Sequence, residues 1–338
     1  MVRYAALTHP TTMNWSKLHA RVHQTLKTRQ ILKRGSRVLI AVSGGQDSLC
    51  LSKLLLDLQE KWEWEIAIAH CDHRWSSDEG IAEHVENIAR EWGVDYKLKT
   101  AGKIKETEAA AREWRYQALI EIAEAEKFEK IVTGHTLSDR AETVLYNLMR
   151  GAGADGIAAL TWERSLTAKI KLVRPLLDIS RRETGEFCFE YKLPIWEDAV
   201  NNNLKYARNR IRADLIPYIQ KEFNPQVEKA LAQTAEILKE DVEYLEKCAT
   251  EVFKQVITEN KKGLNRQILS NVEKAIARRV VRKFLQLNLK KAPKFEEIEA
   301  VTELINGKNR SSTSSFAGKS RVENQGQWII FIEQLDED

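Results

Sequence analysis

Apolar residues follow two alternating rhythms along the first two thirds of this chain. Val38, Leu39, Ile40, Ala41 and Val42 form a short continuous run, the mark of a buried parallel strand. Leu49, Leu51, Leu54, Leu55 and Leu58 then recur at helical spacing. The alternation repeats, predicting strands at 65–70, 95–99, 130–133 and 172–177 and helices at 78–92, 108–127, 138–150 and 180–191. Such a succession predicts an α/β fold with a doubly wound parallel sheet, and ligands at the strands' C-terminal ends. Ahead of it, Trp15, Leu18, Val22, Leu26 and Ile31 predict a basic amphipathic helix packed on the domain.

Further on the rhythm changes. Residues 208–223 predict an amphipathic helix interrupted near Pro217, and Asn224-Pro225 a cap and first turn for a long helix. From Val227 through Leu231, Ala235, Leu238, Val242, Leu245, Ala249 and Val252 to Val256, apolar steps of three and four residues alternate. That seam is coiled-coil-like and suits a packed strut between domains. Helices are expected at about 271–289 and 294–305, with a β-like end at 327–333. The expected division is a catalytic domain at 1–222, a helical linker at 223–260 and a smaller, largely helical basic domain at 261–338.

Charge sharpens this division. The 338 residues carry a formal net charge of only +4, but 15 Lys/Arg face 6 Asp/Glu between residues 261 and 325. A local balance of +9 suggests a polyanionic partner, with a solvated surface as the plain alternative. The four cysteines, Cys50, Cys71, Cys188 and Cys248, lie scattered without a CxxC pair. This argues against a disulfide scaffold, a zinc ribbon or an iron–sulfur cluster, and fits a reducing compartment. No apolar run approaches the ~18 residues of a membrane span, and the N-terminus lacks a signal-peptide core. A cytoplasmic location is expected, with a plastid stroma as the alternative.

Ser43, Gly44, Gly45, Gln46, Asp47 and Ser48 join the first strand to the first sheet helix. A Gly-Gly turn opening a helix leaves free backbone N–H groups at the positive end of a dipole, where a phosphate belongs. Ser43 and Ser48 add hydroxyl donors, and Asp47 can hold Mg2+. No Lys follows the glycines, so this is not the GxxxxGK[ST] loop. SGGQDS resembles the SGGxDS signature of ATP pyrophosphatases, which cleave ATP between its α- and β-phosphates. Arg112 and Arg115, three apart in EAAAREWRY, can neutralise phosphate charge or make surface salt bridges with Glu108 or Glu113. In His70-Cys71-Asp72-His73-Arg74 a polar pocket lining is favoured over a zinc site. His135 tops the strand at 130–133, and Asp139 and Glu142 open the next helix. These two acids can complement the dipole, bind a second Mg2+ or hold an ammonium group. Residues 151–156 read GxGxxG, but they follow a helix, so a loop and not a dinucleotide site is expected there.

SGGQDS, HCDHRW, EAAAREWRY, GHTLSDRAET, RGAGADGI, RPLLDISRRE, WEDAVNN and YARNRIRADLIP stand in one order across about residues 35–220. In that order they resemble tRNA(Ile)-lysidine synthetases, and residues 225–338 more weakly resemble that family's tRNA-binding part. The resemblance implies ATP, Mg2+, free L-lysine and tRNA(Ile) with a CAU anticodon. The wobble cytidine would first be adenylated with release of pyrophosphate; the ε-amine of lysine would then expel AMP. It also implies catalytic roles for Asp47, His73, Arg112, Arg115, His135, Asp139 and Glu142, and nucleotide contacts from the 43–48 loop. Arg208, Arg210 and Arg212, which recur at every second residue, would divide between contacts to RNA phosphate or the adenylate and structural salt bridges, and further RNA contacts would come from Arg278, Arg279 and Arg282. The rivals are a tRNA thiolase of the same superfamily, a small-molecule amidating synthetase and a nucleotide-sensing RNA-binding module without turnover.

Overall fold

The computed structural model describes residues 15–75, 78–105, 107–158, 160–196, 206–316 and 320–333. The chain forms two compact units, Met1–Glu236 and Ile237–Asp338. The first opens with α1 (Lys17–Arg29), β1 (Arg37–Ala41), α2 (Gln46–Trp62), β2 (Glu65–Asp72) and α3 (Ile81–Glu91). It continues through β3 (Asp95–Thr100), α4 (Glu108–Ala125), β4 (Lys130–Thr133), α5 (Leu137–Met149) and a single turn, α6 (Ala154–Ile157). Then come β5 (Glu163–Ser165), β6 (Lys171–Val173), α7 (Arg181–Glu190), α8 (Ala207–Arg210), a π-helical turn at Ile211–Leu215 and α9 (Ile216–Glu222). The unit boundary falls inside α10 (Val227–Val256).

The six strands lie in the order β3-β2-β1-β4-β6-β5. Five run parallel; β5 pairs antiparallel with β6 at the edge. Successive strand residues serve opposite faces, as the pleat requires. Val38, Ile40, Val42, Ile66, Ile68 and Val132 join the core built on the leucines of α2. Leu39, Ala67, Ala69, Ile131 and Leu172 join the other core, with Leu119 and Ile122 of α4. Helices thus cover both faces, and the chain leaves β1 in one direction and β4 in the other. A sheet of this kind opens its crevice at that reversal, beyond the C-terminal ends of β1 and β4. In α1, Val22 and Leu26 enter the first core, as their spacing predicts.

Two expectations need correction and a third needs refinement. Strand β5 had no apolar run to announce it, because Glu163, Arg164 and Ser165 form a polar edge strand. A helical turn, α6, occupies part of the loop expected at 151–156. The helix at 208–223 is interrupted near Pro217, as expected, but by a π-helical turn at Ile211–Leu215 and not by a break at the proline itself. Pro217 sits in the first turn of α9, where it needs no donor, and the wider π turn before it absorbs the missing hydrogen bond. The WEDAVNN stretch beyond Trp196 lies outside the described residues.

The second unit contains the end of α10, then β7 (Gly263–Asn265), α11 (Arg266–Leu269), α12 (Lys274–Asn288) and α13 (Phe295–Leu304). It closes with β8 (Arg321–Gln325) and β9 (Trp328–Ile332), which with β7 form an antiparallel sheet in the order β7-β9-β8. Val280, Phe284, Leu285, Val301, Ile329 and Phe331 fill its core. The unit is therefore a helical layer on a small sheet. Only β9 was foreseen, since β7 has three residues and β8 alternates polar with apolar ones.

Candidate functional site

A cleft of about 370 Å³ opens where the topology places it, beyond β1, β2 and β4. One wall is the turn after β1. Gly44 takes φ +82°, the left-handed region that favours glycine, and a Cβ there would lie 3.3 Å from the Ile81 side chain. Gly45 is the N-cap of α2 and makes no side-chain cap bond. The first N–H groups of a 17-residue helix are thus left for a ligand. The opposite wall follows β4 and approaches closely: a Cβ on Gly134 would lie 2.8 Å from the Asp47 carbonyl oxygen. Only glycine permits this closeness.

Of the residues expected here, Ser43, Gly45, Gln46, Asp47, Ser48, His73, Arg115, His135 and Asp139 line the cleft. Gln46 is also structural. Its Nε2 donates to the Arg181 carbonyl at 2.6 Å and to the Thr184 hydroxyl at 2.8 Å, tying α2 to α7. Thr184 in turn donates to Asp47, and Arg181 lies 3.3 Å from the same carboxylate. Burial raises the Asp47 pKa above its ordinary value; Asp139 adds to the rise, while Arg181, Thr184 and Arg212 oppose it. Two carboxylates with mutual repulsion at the mouth of a phosphate turn suit a divalent cation, because Mg2+ uses one or two carboxylates plus substrate oxygens.

Asp139 divides its duties. One oxygen closes a capping box on α5 by accepting the Thr136 N–H and hydroxyl, each at 2.8 Å. Its other oxygen lies 3.5 Å from Arg212. Glu142, one turn on and only 2% exposed, is clasped by Arg212 through Nε at 2.6 Å and a second nitrogen at 2.9 Å. Burial raises the Glu142 pKa, and Arg212 opposes the rise. Arg212, for which the sequence reading offered RNA, the adenylate or a salt bridge, therefore lines the cleft and binds both acids. Arg208, one helical turn earlier, lies 5.8 Å from the Tyr146 ring on the same face of α5.

The histidines are held neutral. Burial pushes His135 down to about 3, Arg174, Arg112 and Arg115 adding to the fall and Asp139 opposing it. Its Nδ1 meets the Thr133 hydroxyl at 2.8 Å. Burial also lowers His73, with Arg115 adding and Asp78, 3.3 Å away, opposing. The His73 Nε2 is buried and unpartnered among the described residues. Burial pushes the Cys71 thiol up to about 12, so it stays protonated and unreactive at neutral pH. No cluster of three or more His, Cys, Asp or Glu with metal-binding geometry occurs among the described residues, and His70, Cys71 and His73 line the cleft.

Arg112 is not among the described residues that line the cleft; its guanidinium carbon lies 5.7 Å from the Tyr116 ring centroid. In the second unit, Arg278 pairs with Glu299 at 2.5 Å, while Arg279 and Arg282 pair with Glu246. Arg181, which lines the cleft, and the buried Thr184 behind it were missed, although a Ser180–Glu183 capping box in RPLLDISRRE marks a helix start.

A family profile described as a PP-loop domain matches residues 15–219. A tRNA(Ile)-lysidine synthase from Nostoc sp. is 56% identical over 333 residues, covering 94% of this chain and 97% of the relative. The chain belongs to the tRNA(Ile)-lysidine synthase family. The synthase from Synechocystis sp. is 50% identical, covering 95% of this chain and 99% of its own. A chloroplastic member from Pyropia yezoensis is 36% identical over 81% of this chain and 84% of its own. Among solved structures, the U34-tRNA thiolase NcsA from Methanococcus maripaludis superposes with a TM-score of 0.56 at 20% identity. It covers 66% of this chain and 78% of that one, a likeness of fold alone. Among the described residues no helix of this lysidine synthase family member is long and apolar enough to cross a membrane.

Proposed function

We propose that this chain adenylates the wobble cytidine of tRNA(Ile) bearing a CAU anticodon and replaces the adenylate with free L-lysine. The observation that carries the reading is the uncapped start of α2 facing Asp139 and Arg212 across one cleft, in a chain of this family. The α2 N–H groups and the Ser43 and Ser48 hydroxyls receive ATP phosphates. Arg115 and Arg181 oppose the charge that develops as pyrophosphate leaves. Asp47 and Asp139 are the residues that would hold Mg2+, which when bound neutralises phosphate oxygens.

The second step needs a different chemistry. Lysine is a zwitterion at its α-carbon, so its site must offer both signs of charge. Asp139, Glu142 and Arg212 do so within one hydrogen-bonded group. The ε-amine must arrive unprotonated, and His73, neutral and lining the cleft, offers a proton acceptor there, though a weak one because burial lowers its pKa. Sulfur transfer would need a thiolate, which the raised pKa of Cys71 disfavours. Mass analysis of nucleosides after incubation with tRNA(Ile) transcript, ATP, Mg2+ and lysine tests the reading. Lysidine in place of one cytidine supports it; an unmodified or thiolated nucleoside rejects it.

A further inference from the structure

Beside the cleft, a group of cations lacks the carboxylates that such groups normally have. Arg112 and Arg164 approach the Tyr116 ring, with guanidinium carbons 5.7 and 5.1 Å from its centroid. Behind them Arg174 is only 2% exposed, donating to the Thr161 carbonyl at 2.6 Å and interacting with the Tyr116 phenol. The Arg174 Nε is buried without a hydrogen-bond partner, and no carboxylate pairs with Arg112, Arg164 or Arg174 among the described residues. The adjacent acid, Glu163, is taken by Lys130 at 2.7 Å and Lys171 at 2.6 Å.

Elsewhere in this unit exposed arginines do find acids, as Arg34 does with Glu63 and Arg37 with Glu65. Burial opposes ionisation of the Tyr116 phenol, yet Arg112, Arg174 and Arg164 outweigh it and hold its pKa below the ordinary value. The local potential is therefore strongly positive. Arg115, one helical turn from Arg112, carries the same sign into the cleft.

We infer that Arg112, Arg164 and Tyr116, backed by Arg174, form a subsite for a backbone phosphodiester of the substrate RNA. The inference rests on the proposed function and adds to it a second anion site, separate from the ATP phosphates. Neither Arg112 nor Arg164 lines the cleft among the described residues, whereas the α2 start, Arg115 and Arg181 do. An RNA strand delivering one base into the cleft must leave its neighbouring phosphates at the rim. Guanidiniums gathered on a half-buried aromatic suit that backbone.

Arg164 is exposed on edge strand β5, so Arg164→Gln perturbs no core. In the full chain, tRNA binding is measured across salt concentrations, together with the KM values for tRNA and ATP. The subsite predicts a five- to tenfold weaker tRNA Kd, and a slope of log K against log salt shallower by about 0.7–0.9, one phosphate contact. The ATP KM should hold, and Arg164→Lys should recover most of the slope. A raised ATP KM with unchanged tRNA affinity would assign the group to the nucleotide and overturn the inference. Unchanged affinity for both, or a fall in Tm alone, would make it structural and equally overturn it. Wild-type chain that forms no lysidine would remove the parent reading, a failure distinct from these.

Discussion

Arg278, Arg279 and Arg282 of the second unit are each held by a carboxylate, whereas Arg112, Arg164 and Arg174 of the first surround one phenol without any among the described residues. By composition the second unit looked the stronger RNA binder, with its +9 balance between residues 261 and 325. Yet Glu246 alone gathers Arg279, Arg282 and Lys283, and Glu299 gathers Lys274 and Arg278. Net charge counts cations; it does not say which are already engaged. Phosphate affinity depends on the latter as well. The first unit, less basic by count, concentrates charge beside its cleft with no carboxylate paired to it among the described residues.

The largest expected effect separates chemistry from binding. Asp47→Asn should lower lysidine formation by about 10²-fold or more, the scale of losing one electrostatic stabiliser. It should also raise Tm by about 1–3 °C. The sign follows from burial: the folded-state pKa is raised, so the ionised carboxylate costs stability at neutral pH, and the amide does not carry that cost. Near-normal turnover at saturating Mg2+ would break the assignment.

Glu142→Gln comes next. Arg212 loses one of its two carboxylate partners, and the lysine requirement should rise by roughly ten- to a hundredfold, the worth of a charge-assisted hydrogen bond. tRNA-dependent pyrophosphate release should fall less. Equal losses in both assays, unrelieved by extra lysine, would instead give Glu142 to the first step.

Glu246→Gln turns the comparison on the second unit. Releasing Arg279 and Lys283 should strengthen tRNA binding about two- to fivefold at low salt and steepen the salt slope. Filter binding that shows no change would mean that this face does not meet RNA. The smallest effect is on pH. His70 is buried and His73 and His135 are half-buried, and desolvation lowers the pKa of all three, His135 down to about 3. Their stabilising contribution is complete above the unfolded value of roughly 6.5 and is lost as pH falls toward about 3. Thermal melts should decline across that window, and less steeply in His135→Asn.

These contrasts also explain what could be read before folding. The apolar runs of β1, β2 and β4 and the leucines of α2 announce themselves, because parallel strands and their cover helix are buried on defined faces. SGGQDS was legible as a phosphate turn because its chemistry is local. Arg212 was not, because its role comes from Glu142, 70 residues earlier, and from a π turn that no periodicity reveals. Gln46 looked like a ligand residue until Thr184, 138 residues on, accounted for its amide. Arg164 drew no notice at all, lying on a three-residue polar strand whose neighbours in space are distant in sequence.

The central claim is that one cleft couples ATP cleavage to lysine transfer on RNA. It is tested most directly by following pyrophosphate release and lysine incorporation in parallel with tRNA(Ile) transcript. The account predicts pyrophosphate and AMP in amounts that match the lysidine formed, with both absent when the wobble cytidine is replaced by uridine. Release of ADP and inorganic phosphate, or lysine incorporation that survives the loss of that cytidine, would contradict it.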